Sequence, residues 1–185
     1  MIIAYRQLRG LNKNRKGDFS HRFKKDFFCK NTRQLLFFIY SDLLIFRELQ
    51  SDPDHPYFKI NKDKLDKLPD AYVDYKNVAK DMNYQIDPFK IDDYLLGHFE
   101  DMGFFVKKGI LEIEYIYVSF DWYIKLTHEN CSIRKYIKWL QKQANSEDVY
   151  ENFQYIAEEC KLYRIKKIGR NNIDKNKIIE YIRIK

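Results

Sequence analysis

Cysteine, glycine and proline are all scarce in this chain. Its 185 residues include three Cys, six Gly and four Pro. Cys29, Cys131 and Cys160 are odd in number and widely spaced, so they match neither a disulfide framework nor a zinc site and point to a reducing compartment. Each lies among apolar neighbours at helical spacing, the pattern of a small buried hydrophobe. With no Gly/Ser/Pro-rich linker to divide it, the chain reads as a single domain over residues 1–185. The start does not read as a signal peptide, because the apolar MIIA is followed by no small-residue cleavage site. The longest apolar stretch, LLFFIYSDLLIF at 35–46, is too short to span a bilayer and carries Asp42 near its middle.

Catalytic signatures are equally absent. There is no Gly-rich phosphate loop, nucleophile elbow or Ser/His/Asp grouping. His21, His55, His98 and His128 are far apart in sequence. His98, close to Glu100 and Asp101, comes nearest to a metal ligand, but a His so placed is more often a half-buried face residue. Asp87, Asp92, Asp93, Glu100 and Asp101 lack the spacing and central Gly of a calcium loop and read as helix caps and a solvated face. The sequence therefore nominates no catalytic residue, no metal ligand set, no cofactor and no small-molecule substrate.

Aromatic residues, by contrast, are plentiful. Fifteen Tyr and fourteen Phe help raise the aromatic share to 17%, enough to fill a packed interior. Charge is segregated along the chain. Residues 1–35 hold ten Lys/Arg against two acids, residues 161–185 hold nine against two, and the middle is acidic; the total is +7. Basic ends suit contact with nucleic acid or with anionic lipid headgroups. The N-terminal MIIAY running into RQLRGLNKNRK has the form of a last apolar turn and a basic stop, which places residues 1–17 as a juxtamembrane segment with a span before Met1. Arg6, Arg9, Lys13, Arg15 and Lys16 are then the residues that contact the membrane or a nucleic acid.

Periodicity predicts an all-α fold, an irregular bundle of about five to six helices with one long loop. Asn31-Thr32 offers an N-cap, and apolar residues at 35, 39, 43, 46 and 49 predict a helix over 33–49. Residues 51–87 contain three of the four prolines and read as the long loop, with helical turns near 62–67 and 71–81. Asp87-Pro88 opens a helix with core face Ile91, Leu95, Phe99 and Met102, which Gly103 is expected to end in a left-handed C-cap. The stretch FFVKKGILEIEYIYVSF imitates a winged-helix wing, but strand alternation fails after five residues. The stripe Ile113, Ile116, Tyr117, Phe120 and Ile124 predicts a helix over 112–127 instead. CSIRKYIKWLQKQA places Ile133, Tyr136, Ile137 and Leu140 on one face, and Ser146 caps a helix over 147–166. The last residues, IIEYIRIK, fit either a short helix or a pairing strand. The expected core comprises Leu36, Phe38, Leu95, Phe99, Phe120, Ile124, Phe153 and Ile156.

The segments IDDYLLGHFEDMGFFVKKGILEIEYIYVSFDWYI, AYRQLRGLNKNRKGDF and VYENFQYIAEE together resemble a family of small uncharacterised bacterial helical proteins. Members of that family commonly carry one hydrophobic helix before the equivalent of Met1. The resemblance covers most of the chain outside 51–86, and the turn FEDMGFFVKKG is its most specific element. It implies a cytoplasmic all-α domain at the inner face of a membrane, and it brings no activity. Two readings of function follow. One is a non-enzymatic interaction or regulatory domain whose partner is an anionic membrane surface or a protein. The alternative is a nucleic-acid-binding protein or helical ribonuclease using Arg15 and His21, whose RKGDFSH spacing falls within a loose Arg-x(4–6)-His pattern.

Overall fold

The computed structural model describes residues 21–48 and 55–183, with side chains through Gly169. The described chain is mostly helical and also contains a three-stranded antiparallel sheet of order β1-β2-β3. A helical segment over 21–27 (α1) leads into α2 (Lys30–Tyr40), β1 (Leu44–Arg47) and β2 (Tyr57–Ile60). Next come α3 (Lys62–Asp66), a 3-10 turn (Asp70–Tyr72), α4 (Val73–Asp81) and β3 (Gln85–Ile86). One broken helix follows as α5 (Pro88–Ile91), a π turn (Asp92–Leu96) and α6 (Gly97–Lys107). The chain closes with α7 (Ile113–Glu129), α8 (Cys131–Ala144) and the long α9 (Glu151–Arg183).

In place of the helix expected over 33–49, α2 stops at Tyr40. There Asp42 turns to φ 51°, its amide donates to the Ile39 carbonyl, and the Leu43 amide donates to the Phe38 carbonyl at 2.9 Å. This pair of bonds, closing the last turn around a left-handed residue, is the Schellman motif. Lys64 fixes the corner by donating to the Asp42 carboxylate. Beyond it Leu44 and Phe46 point inward while Arg47 is exposed, the two-residue period of a strand. The same closure recurs at Asn83 after α4, Gly109 after α6 and Asn145 after α8. Asp and Asn tolerate the left-handed region better than other side chains, so a chain with few glycines still ends its helices sharply. Asn and Asp also open helices. Asn61, Asp87 and Asn130 each accept a bond from a first-turn amide, with Pro88 at the first position of α5 as its sequence predicts.

Residues 51–87 are not one loop. From 55 onward they contain β2, β3 and, between them, α3 and α4 at the two places where helical turns are expected. Phe58 and Ile60 face inward from β2, and β2 pairs with both neighbours: Phe46↔Phe58 on one side and Phe58↔Ile86 on the other. The ring of Tyr75 on α4 stacks on Phe37 of α2 with centroids 3.8 Å apart. Gly103 also departs from expectation: it lies buried inside α6, and Gly109, at φ 66°, is the left-handed residue that ends the helix. Asn31 and Thr32 lie within α2 rather than capping it, and the buried Thr32 hydroxyl donates to the Tyr94 carbonyl in the π turn at 2.8 Å.

The core runs through all eight expected residues, each no more than 5% exposed. Helix α9 packs against α6 and α7, and α8 lies against β1, where the Ser132 hydroxyl donates to the Leu44 carbonyl at 2.7 Å. Ser146 accepts from the Asp148 amide in a turn, and α9 itself starts at Glu151. Its first amides are capped from another helix: Glu100 of α6 accepts from the backbone of Asn152 and Phe153 and from the Asn152 side chain at 2.7 Å. A carboxylate there complements the positive end of the helix. The segment IIEYIRIK continues α9 as helix through Arg183.

Candidate ligand cleft between the sheet and helix α8

The π turn gives Asp92 its setting. A π turn inserts an extra residue into a helix and is found disproportionately at functional sites. Asp92 opens this one as a half-buried carboxylate that accepts from the Tyr136 hydroxyl at 2.6 Å and the Tyr150 hydroxyl at 2.5 Å. Burial, together with the charges of Asp93 and Asp87, raises its pKa, and the two tyrosine bonds counter that only in part. Burial and the adjacent Asp92 push both phenols well above the usual tyrosine range. The acidic group that reads from sequence as caps and a solvated face is thus divided. Asp87 is a cap, Asp93 and Asp101 are exposed, and Asp92 and Glu100 each tie two or more elements together.

Beside Asp92 opens a cleft of about 540 Å³ between the β2–β3 end of the sheet, the start of α5 and the face of α8. Its walls include four aromatic rings, Tyr57, Phe89, Tyr136 and Trp139, together with the carboxylates of Asp87 and Asp92 and the aliphatic Ile86 and Leu140. The rings are held from behind. Tyr136 and Trp139 lie nearly parallel, 14° apart, and Phe46 contacts both while Phe58 meets Tyr136 edge-on. Phe89 stands 73% exposed beside Pro88, on backbone pinned by the Asp87 cap. The Trp139 Nε1 is buried with no hydrogen-bond partner among the described residues.

Of the four histidines, His55 lines this cleft. His98 is half-buried against the rings of Phe23 and Phe27, and burial lowers its pKa. His128 is half-buried against Phe153 and likewise lowered by burial. It borders a smaller groove of about 250 Å³ whose charges are of both signs and include the Arg164–Asp121 ion pair. His21 is exposed at the start of the described chain. Arg6, Arg9, Lys13, Arg15 and Lys16 lie outside the described residues, so the Arg15 and His21 pairing does too. No group of three or more His, Cys, Asp or Glu among the described residues could hold a metal ion. Only Cys160 is buried; Cys29 is intermediate and Cys131 exposed, which corrects the expectation of three core cysteines. Among the described residues no helix is long and apolar enough to cross a membrane.

Sequence reasoning missed the cleft because its parts come from three separate segments, 55–57, 85–92 and 136–140. The local signals were Tyr136 and Trp139 three residues apart in YIKWL and the DPFKIDD turn, neither of which indicates the other. No family model, curated protein or solved structure matches the chain.

Proposed function

We propose that this protein is a non-enzymatic recognition domain and that the cleft beside Asp92 holds its ligand. The carrying observation is the rigid aromatic wall with two carboxylates in a concavity of about 540 Å³, a size and lining typical of ligand pockets. Binding rather than catalysis is favoured because both Asp92 oxygens already accept tyrosine hydroxyls, and because both phenols resist ionisation. A tyrosine poised as base or nucleophile near neutral pH needs the opposite tuning. The test is a chemically diverse fragment screen by heteronuclear NMR on the full chain. Hits that shift the resonances of Tyr57, Phe89 and Trp139 together support the reading, and hits confined to other surfaces refute it.

A second reading concerns location. The basic ends favour an anionic membrane surface, and α9 adds exposed Leu162, Ile165 and Ile168 interleaved with Lys161, Lys166 and Lys167. Apolar and basic residues interleaved on one helix suit the boundary between headgroups and acyl chains. Arg6, Arg9, Lys13, Arg15 and Lys16 would each add about 1 kcal/mol of attraction near such a surface, fading as salt rises. The purified protein is expected to sediment with anionic liposomes at low salt, to show no preference among oligonucleotides and to leave RNA intact. RNA cleavage abolished by His21→Ala would replace this reading with the nuclease.

A further inference from the structure

Resting on the reading of the cleft as a binding site, we propose that its ligand is a small organic cation of the quaternary ammonium type. The lining decides the sign of charge. The chain carries 34 Lys/Arg against 27 Asp/Glu, yet the carboxylates of this cleft are Asp87 and Asp92, His55 is the one imidazole in its lining, and among the described residues no Lys or Arg lines it. An anion entering would meet two carboxylates with no Lys or Arg beside them among the described residues, whereas a cation completes the balance.

Chemistry then narrows the kind of cation. Ring faces attract cations through their quadrupoles, and aromatic cages are a recurrent solution for methylated ammonium groups. Three partly or fully exposed rings, Tyr57, Phe89 and Trp139, contribute to the walls here, with Tyr136, 2% exposed, packed behind them. Asp92 is already engaged at both oxygens, each accepting a tyrosine hydroxyl, and one oxygen of Asp87 accepts the Phe89 amide at 2.9 Å. The two carboxylates supply field more readily than free hydrogen-bonding positions. A primary ammonium, strongly hydrated and needing acceptors for its N–H groups, is poorly served, while a quaternary ammonium asks only for negative potential and apolar contact. Phe89 supplies the remaining element, a large ring left 73% exposed at the cleft, which a seated ligand would cover.

The experiment uses Trp139 as its reporter. The chain has two tryptophans, and the other, Trp122, sits 52% exposed on α7 against Tyr40, outside the cleft lining. Trp122→Phe therefore leaves Trp139 emission as a direct readout. The probes are choline, its neutral isostere 3,3-dimethyl-1-butanol, the anion 3,3-dimethylbutanoate and a trimethyllysine peptide. Choline is expected to change the emission saturably and to bind at least tenfold more tightly than the neutral isostere, with no response to the anion. Phe89→Ala should weaken choline at least fivefold without lowering the Tm. Asp87→Asn, which keeps a cap-competent side chain, should also weaken it. Equal binding of choline and the alcohol, or preference for the anion, overturns the cation assignment while the cleft stands as a site. A peptide bound tenfold more tightly than choline moves the cation onto a protein partner and overturns the small-molecule assignment. Silence from every probe with fragment hits still mapping to the cleft rejects the ligand class alone; silence from both rejects the site itself.

Discussion

Gly103 of α6 packs directly against the backbone of α9, and replacing it with alanine tests how the helical body is held together. A Cβ built there lies 2.0 Å from the Asn152 carbonyl oxygen and 2.5 Å from its carbon, where ordinary contact begins at 3.4 Å. The atoms in the way are backbone at the start of α9, so no side chain can swing aside and the helices must part locally by about 1.4 Å, the shortfall from ordinary contact. Overpacking of this kind costs about 2 kcal/mol. The same movement stretches the bonds from Glu100 to the amides of Asn152 and Phe153, now 3.3 and 2.9 Å, and loosens the Phe99–Phe153 stack. Losing two such bonds adds about 2 kcal/mol. Against this stands the better helix propensity of alanine, about 1 kcal/mol. The net destabilisation is about 3 kcal/mol, which for a chain of this size lowers the Tm by about 6–12 °C. Thermal melts followed by circular dichroism, with urea titrations alongside, measure it. Gly109→Ala is the matched control: nothing lies within 4 Å of its Cβ, and the cost is the positive φ alone, about 1 kcal/mol. A Gly103→Ala protein as stable as the parent, or one less affected than Gly109→Ala, would refute the close-contact reasoning.

Asp92→Ala strands the Tyr136 and Tyr150 hydroxyls and should lower unfolding free energy by about 2–4 kcal/mol in urea titrations, with Tyr150→Phe costing about half as much. Asp92 also makes a pH prediction. Its native pKa is raised, so its contribution to stability is full below the unfolded value near 3.8 and is lost as pH rises through the native value. The stability of the parent relative to Asp92→Asn should therefore fall as pH rises from the unfolded value near 3.8 through the native value. The histidines give the other sign: His98 and His128 have lowered native pKa values, so stability is full above the unfolded value of 6.5 and declines as pH falls through the native values. The double variant His98→Gln, His128→Gln should flatten that decline. Thiol titration should find Cys131 reactive in the native protein and Cys160, whose thiol burial pushes up to about 12, reactive only after unfolding.

Local chemistry was legible in the sequence wherever it acted within a few residues. The Asp87-Pro88 helix start, the helix expected over 112–127 and found as Ile113–Glu129, and the eight core positions follow from capping and 3.6-residue periodicity. The end of α2 was also written locally, in Ser41-Asp42. A left-handed Asp between apolar runs is nevertheless hard to distinguish from a polar residue on a helix face, so LLFFIYSDLLIF reads as one helix. Its second half becomes a strand because β2, ten residues further on, supplies the hydrogen-bonding partner.

What the sequence by itself determined is the helical majority, the aromatic core and the charge of the two ends, since propensity, periodicity and composition are properties of neighbouring residues. Only the tertiary structure decided the sheet, the role of Gly103 and the cleft. A strand needs a partner from elsewhere in the chain, and the need for glycine at 103 comes from the backbone of Asn152, 49 residues away. Asp92 reads as a solvated acid until Tyr136 and Tyr150 arrive from α8 and the turn after it. Contacts between distant segments leave no local period in a sequence, and this cleft is built entirely from such contacts.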